Sequence, residues 1–223
     1  MTKGGSAGGT LEGGDPRGAT LRLFLALPVP RRAAEELERW RDAELLARVP
    51  ERFRDVVRPV EGFHVTLAFL GSRPRAELPG IVDVLRDAAA ESPPFELVPK
   101  RFRETRSVGM VVLDDPSGEA TRLAERLHGR LEEIGVYERE ARRWLPHATV
   151  VRFSNRRRDQ GTKRSRLSVP APDLGAFVPS GAAAFVSRLH PSGARYEILE
   201  IAEFEPRKSR VDRAEARRLK DES

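Results

Sequence analysis

The same short motif occurs twice in this sequence, each time inside an apolar run of strand length. In both copies a histidine is followed two residues later by a threonine: His64 and Thr66 in the first copy, His147 and Thr149 in the second. The chain has only four histidines, so chance is a poor explanation for two such pairs. Successive strand side chains point to opposite faces, which puts each histidine on the same face as its threonine. The repetition predicts two similar lobes whose motif strands face each other across a cleft.

The same alternation assigns the residues that follow the motifs. In the first strand it puts Leu67 and Phe69 on the face opposite His64. In the second strand it puts Arg152 on the face opposite His147. Arg152 can therefore join the histidine only if the second strand twists or bulges between the two residues.

Composition limits the chemistry that is available. The chain has no cysteine, which excludes disulfides, thiolate metal sites and cysteine nucleophiles. Its longest apolar runs have the length of strands, and its first residues lack the charged and then apolar pattern of a secretory signal. We therefore expect a soluble, cytoplasmic protein with no membrane association, and no feature points to an obligate protein partner.

The chain divides into a central domain and two tails. Residues 1–19 contain seven glycines and almost no large apolar side chains, which predicts a disordered tail. Residues 20–205 form the predicted domain, and residues 206–223 form a charged tail without apolar periodicity. Besides the second motif strand, the pattern predicts strands at Thr20–Leu27, Val56–Val60, Phe63–Leu70, Phe95–Val98, Val108–Leu113, Ala182–Leu189 and Arg195–Phe204, a turn at Gly71–Pro74, and helices at Arg31–Arg48, around Leu78–Leu85 and up to Ile134.

Positive charge is concentrated directly after the second motif strand. The formal net charge is +6, and the segment from Ser154 to Ser168 holds six basic residues against one aspartate. A basic loop at about 154–172, starting with Arg156, Arg157 and Arg158, is typical of contact with an anionic polymer such as RNA. A solvated surface loop that contacts nothing explains the same charges, and charge alone does not decide between the two.

Paired histidines and threonines can serve three purposes. A catalytic metal site commonly takes three protein ligands, often with a carboxylate, and neither motif strand carries aspartate or glutamate. A structural pair would bury four polar side chains at a cost in free energy. Acid–base chemistry fits better, because neutral and protonated imidazole coexist near pH 7 and hydroxyls can stabilise phosphoryl oxygens. Of the other histidines, His128 is predicted to be structural or on the surface, and His190 is a turn residue.

The two motifs resemble the His-x-Thr-hydrophobic signatures of the 2H phosphoesterase superfamily. The likeness is greatest to its bacterial and archaeal RNA 2′,3′-cyclic phosphodiesterase, or 2′-5′ RNA ligase-like, branch. The segments Arg22–Pro28 and Ser187–Tyr196 also look like the opening strand and the closing hairpin of that branch. The resemblance runs from about Leu21 to Phe204, and it fails at Gly109–Val112, where the family commonly carries a tryptophan.

This resemblance implies an α+β fold of two pseudo-symmetric lobes, with antiparallel sheets lining a central cleft and helices outside. It implies a metal-independent RNA 2′,3′-cyclic phosphodiesterase that needs no cofactor and converts the cyclic phosphate of RNA or a cyclic nucleotide into a 2′-phosphomonoester. By the same resemblance His64 is the proton donor and His147 the proton acceptor, while Thr66 and Thr149 hold the phosphoryl oxygens. The candidate substrate-binding residues are Arg152, Phe24, Tyr196, Arg156, Arg157 and Arg158.

Other functions remain compatible with these residues. The same site can join RNA ends through a 2′-5′ bond, or open a small cyclic nucleotide such as ADP-ribose 1″,2″-cyclic phosphate. Outside the enzymes, the alternative is a module that binds RNA ends without turning them over. Turnover against tight binding of a cyclic-phosphate oligonucleotide, measured in chelator, separates the enzyme from the binding module.

Overall fold

Eight strands and three α-helices make up the described part of the chain, which covers residues 20–60, 62–153, 167–190 and 193–205 of a computed structural model. The strands are β1 (Thr20–Pro28), β2 (Val57–Pro59), β3 (His64–Pro74), β4 (Val98–Glu104), β5 (Val108–Asp114), β6 (His147–Phe153), β7 (Gly181–His190) and β8 (Gly193–Glu203). The helices are α1 (Arg31–Trp40), α2 (Leu78–Ala90) and α3 (Glu119–Glu133). The predictions for both tails and for Arg156, Arg157 and Arg158 fall outside the described residues.

All strand pairs are antiparallel, in the order β4-β5-β6-β3-β1-β7-β8, with β2 paired to β6. Strands β4, β5, β6 and β2 form the first lobe, and β3, β1, β7 and β8 form the second. The motif strands β3 and β6 lie side by side at the seam, where the ladder pairs Val65 with Ala148. The predicted α+β fold with two antiparallel lobes is confirmed, and the seam joins the two sheets into one.

The helices cover one face of the sheet, because each carries an apolar stripe at helical spacing. Helix α1 packs on the first lobe, where the rings of Trp40 and Phe102 lie 6.0 Å apart. Helix α2 contacts β7 and β8, and α3 contacts β3. The buried side chains that the helices contribute include Leu37, Ile81, Leu85, Leu123, Leu127 and Leu131. Among the described residues, no helix is long and apolar enough to cross a membrane.

Three predicted elements differ from the structure in type or in extent. Gly71–Pro74 is not a turn, because it continues β3 and pairs with β1. The helix predicted at Arg31–Arg48 is α-helical only as far as Trp40, and a π-helical turn and a 3₁₀ turn complete it. The strand predicted at Phe95–Val98 lies instead at Val98–Glu104. It is an edge strand rich in charge, and such strands lack the apolar alternation on which the prediction relied.

Each motif strand carries a β-bulge at the residue after its threonine. The pairing of β3 with β1 skips Leu67, and the pairing of β6 with β5 skips Val150 in the same way. One extra residue reverses the alternation, so the residue three places after each threonine turns to the motif face. The prediction for Phe69 is therefore wrong, since this residue turns to the motif face and not to the opposite one, and it is 49% exposed there. The bulge that Arg152 needs in order to join the histidine is present.

Candidate active site

Both motif histidines are held by a carbonyl of their own chain. Nδ1 of His64 donates to the carbonyl oxygen of Gly62 at 2.9 Å, and Nδ1 of His147 donates to that of Leu145 at 2.8 Å. Each acceptor lies two residues before its histidine. Since Nδ1 carries the proton that makes this bond, Nε2 of the neutral ring is left to exchange a proton with a ligand. The two lobes thus hold their imidazoles by the same local device.

The ring of His64 lies among three aromatic side chains of the second lobe. Its centroid is 4.8 Å from that of Phe24, 4.9 Å from that of Tyr196 and 5.5 Å from that of Phe185. The Phe24 and Phe185 rings stack on each other at 4.9 Å. Such a cluster fixes the orientation of the imidazole and removes water from one side of it.

The pKa of His64 is lowered from its ordinary value of 6.5, first of all by burial in this cluster. The positive charges of Arg152 and His147 act in the same direction, whereas the hydrogen bond to Gly62 opposes the shift. The electrostatic influence of two β6 residues on a β3 residue reflects how closely the two lobes approach at the seam. In the free protein at neutral pH, His64 is therefore a neutral imidazole.

Arg152 reaches the motif face through the bulge in β6. Its Nη2 donates to the hydroxyl oxygen of Tyr196 at 3.2 Å, which links the first lobe to the second. Arg152 is exposed, and it forms no ion pair with any described residue. Its charge is therefore available to an anion that enters between the histidines.

The two threonines stand beside the histidines, one in each lobe. Thr66 is opposite Ala26 of β1, and Thr149 is opposite Met110 of β5. Both residues are half-buried, and within the described ranges neither hydroxyl has a hydrogen-bond partner. Both hydroxyls can therefore donate to an oxygen bound in the cleft.

The seam beside Thr66 is held by two side chains that the sequence patterns did not single out for this role. The carbonyl oxygen of Thr66 accepts from Nε1 of Trp144 at 2.9 Å, and that of the bulged Leu67 accepts from Nε2 of His128 at 2.8 Å. His128 is 6% exposed and stacks on Tyr137, so it is structural, one of the two roles predicted for it. The only sequence signal for Trp144 was an aromatic residue three positions before a motif histidine.

The predicted substrate-binding residues separate into three groups. Arg152 and the half-buried Tyr196 lie beside the histidines. Phe24 lies beneath His64 at 3% exposure, so it supports the imidazole and offers no open ring face to a ligand. Phe185, which shares that supporting role, was missed because apolar alternation marks it only as an inward strand residue. The three loop arginines lie outside the described residues.

Taken together, the cleft offers two imidazoles, one guanidinium and two hydroxyls. Among the described residues, no three His, Asp or Glu side chains are grouped so that they could hold a metal ion. Hydrogen-bond donors surround the space between the two imidazole rings. Such an arrangement can bind a phosphate and transfer protons on two sides of it.

Comparison with known proteins identifies the fold and the family. TT0787 of Thermus thermophilus has a TM-score of 0.68 at 24% identity, with 84% of this chain and 100% of that chain covered. E. coli LigT in its apo form has a TM-score of 0.63 at 21% identity, with coverage of 83% and 98%. No curated protein sequence matches the chain. The family model described as the 2′-5′ RNA ligase superfamily matches residues 29–176, more than half of the chain and both motif strands. The protein therefore belongs to this superfamily of 2H phosphoesterases.

Proposed function

We propose that this protein is a metal-independent phosphodiesterase that opens the 2′,3′-cyclic phosphate at the 3′ end of an RNA and leaves a 2′-phosphomonoester. Membership of a superfamily of phosphoesterases and ligases makes it a phosphoryl-transfer enzyme. The observation that carries the proposal is the pair of histidines, one from each lobe, with both Nδ1 atoms bound to backbone carbonyls. A structural neighbour, E. coli LigT, has been crystallised with 3′-AMP and with NADP+, which supports a nucleotide ligand.

Two proton transfers accompany the reaction. Nε2 of His147 accepts a proton from water as the water oxygen forms a bond to phosphorus. The bond from phosphorus to the ribose O3′ breaks on the other side, and His64 donates its Nε2 proton to that oxygen. One proton is taken and one is given, so exchange with solvent returns both rings to their starting state.

The remaining side chains stabilise charge. Negative charge grows on the non-bridging phosphoryl oxygens in the transition state, where the hydroxyls of Thr66 and Thr149 donate to them. Arg152 supplies the positive charge of the cleft, and Tyr196 orients its guanidinium. Phe24 acts as a positioning residue, because it contacts His64 and not the substrate.

A proton donor must be protonated when the substrate is bound, and burial of His64 opposes this. The phosphate supplies the compensation, because a negative charge beside an imidazole favours its protonated form. His64 therefore gains its proton together with the substrate. Protonation of His64 is thereby linked to binding of the substrate in the cleft.

The test is hydrolysis of a 2′,3′-cyclic mononucleotide and of an RNA oligonucleotide with a cyclic end, both in EDTA. Activity is expected to persist, and the product should carry a 2′-phosphate. His64→Ala and His147→Ala should each lower kcat by about 10²- to 10⁴-fold, the range for a positioned acid or base. His190→Ala, which removes a histidine outside the motifs, is the matched control and should retain activity.

Several results would contradict the proposal in different ways. Loss of activity in EDTA that a divalent ion restores would imply a metal mechanism. A 3′-phosphate product would mean that the assigned roles of His64 as proton donor and His147 as proton acceptor are wrong. A 2′-5′ joined product would identify a ligase, and tight binding without turnover would identify an RNA-end binding module.

A further inference from the structure

A cavity of about 650 Å³ opens beside the two motif strands, and opening a cyclic phosphate does not require it. Its lining includes Thr66 and His147, so it is continuous with the candidate active site. The rest of the wall comes from β3, from β4 and β5 with the turn between them, from α3 and from the segment between α3 and β6. This volume lies within the range of about 300 to 1,000 Å³ that small-molecule sites occupy.

The cavity carries uncompensated positive charge. Its arginine and carboxylate side chains are four arginines and two glutamates: Arg103, Arg139, Arg142, Arg143, Glu125 and Glu140. Arg139 pairs with Glu125 at 2.6 Å, and Arg142 pairs with Glu140 at 2.5 Å. Arg103 and Arg143 form no ion pair within the described part of the chain. Two guanidinium groups are therefore available to an anion.

Phe69 adds an exposed aromatic ring to the same cavity. The bulge in β3 turns this side chain out of the core, and the residue is 49% exposed. The guanidinium carbon of Arg22 lies 5.0 Å from the ring centroid and supports the ring from one side. A supported aromatic ring beside free guanidinium groups is the combination that binds single-stranded nucleic acid, with bases stacked on rings and phosphates on cations.

The sheet register relates this cavity to the reacting phosphate. Arg103 is opposite Met110, and Met110 is opposite Thr149, so the three share one row and one face of the sheet. Two strand spacings separate Arg103 from Thr149, about 10 Å at the backbone. The Arg103 side chain shortens this distance to the span of about one nucleotide unit.

Resting on the function proposed above, we propose that this cavity receives the nucleotide on the 5′ side of the cyclic end. Arg103 and Arg143 bind the linking phosphate, and the base stacks on Phe69. A 2′,3′-cyclic phosphate terminates an RNA, so the rest of the chain leaves the terminal ribose through its 5′ oxygen. The preferred substrate is then an RNA chain rather than a free cyclic mononucleotide.

The experiment compares kcat/KM for a dinucleotide that ends in a 2′,3′-cyclic phosphate with kcat/KM for the cyclic mononucleotide. The ratio of the two should fall about tenfold or more in R103Q and in R143Q, as expected when a charged hydrogen bond to phosphate is lost. In F69A the ratio should fall by about tenfold through lost stacking. R101Q is the matched control, because Arg101 is an exposed arginine of the same strand that does not line the cavity. Its ratio should stay within about twofold of wild type.

An unchanged ratio in R103Q and R143Q, or an equal fall in R101Q, would overturn the inference. A binding measurement separates this failure from failure of the proposed hydrolysis. Calorimetry with a dinucleotide that ends in a 2′-phosphate requires no turnover, and R103Q should bind it at least about tenfold more weakly than R101Q does. Equal affinities would overturn the inference, whereas absence of turnover in the wild type would contradict only the proposed hydrolysis.

Discussion

Replacing the buried His128 by leucine tests whether the bulge in β3 depends on the helix behind it. Nε2 of His128 donates to the carbonyl oxygen of Leu67 at 2.8 Å, and the pairing of β3 with β1 skips Leu67. Leucine fills much of the same space but cannot donate. The His128→Leu variant therefore leaves a buried carbonyl without its side-chain partner.

The expected loss of stability has two parts. An unsatisfied buried acceptor costs about 1–3 kcal/mol. The stack of His128 on Tyr137, with ring centroids 4.8 Å apart, contributes about 0.5–1.5 kcal/mol more. Together they predict a loss of about 1.5–4.5 kcal/mol. With a urea m-value of about 2 kcal/mol/M, the unfolding midpoint should fall by about 1–2 M.

Urea unfolding followed by circular dichroism measures this shift. His128→Gln is the first control, because its amide nitrogen can still donate to the Leu67 carbonyl, and it should recover the hydrogen-bond part of the loss. Glu133→Leu, on an exposed position of α3, is the second control and should change stability by less than about 0.5 kcal/mol. A midpoint shift below about 0.3 M in His128→Leu would refute the reasoning, since it would mean that the carbonyl finds another partner without cost.

Two further predictions follow from the site and the sheet. The acidic limb of the pH profile of kcat/KM should lie below pH 6.5, because the lower pKa of two coupled histidines sets this limb and burial lowers the pKa of His64. Phe185→Ala should raise the pKa of His64 and move the acidic limb to higher pH. An acidic limb that does not move in this variant would exclude burial as the cause. Gly109→Ala should destabilise by about 1–3 kcal/mol in urea unfolding, because its Cβ would lie 2.7 Å from Cγ2 of Val151. Gly80→Ala, with nothing within 4 Å of the added carbon, should not destabilise, and equal losses at both glycines would contradict the packing argument.

Much of the fold could be predicted because local pattern and tertiary packing agree. The stripe that includes Leu123, Leu127 and Leu131 predicts α3, and all three residues are fully buried. Gly135 ends this helix region with a φ of +70°, a conformation that glycine adopts without strain. The hairpin of β7 and β8 follows in the same way from apolar runs on either side of a turn.

The site could be predicted only in part, because its details depend on contacts between distant segments. Nothing in the run Val65–Leu70 distinguishes a bulged strand from a regular one, so the exposure of Phe69 was not predictable. Two donors from elsewhere in the chain, Trp144 and His128, reach the carbonyls of Thr66 and Leu67 at the bulge. Likewise, Arg103 is identified as a candidate substrate-binding residue only by the sheet register, which places its strand beside β5.

The repeated motif does not make the two histidines equivalent. Both strands follow the threonine with a bulge, but the residue that the bulge turns to the motif face is Phe69 in one lobe and Arg152 in the other. The aromatic cluster surrounds only His64, and the charge of Arg152 is one of the causes that lower the pKa of that ring. A phosphate bound to Arg152 neutralises the positive charge of the guanidinium, and burial remains the main cause that lowers the pKa of His64. Substrate binding therefore raises the proton affinity of His64. In the proposed mechanism, the bound phosphate therefore favours the protonated form of His64, which is the form that donates a proton.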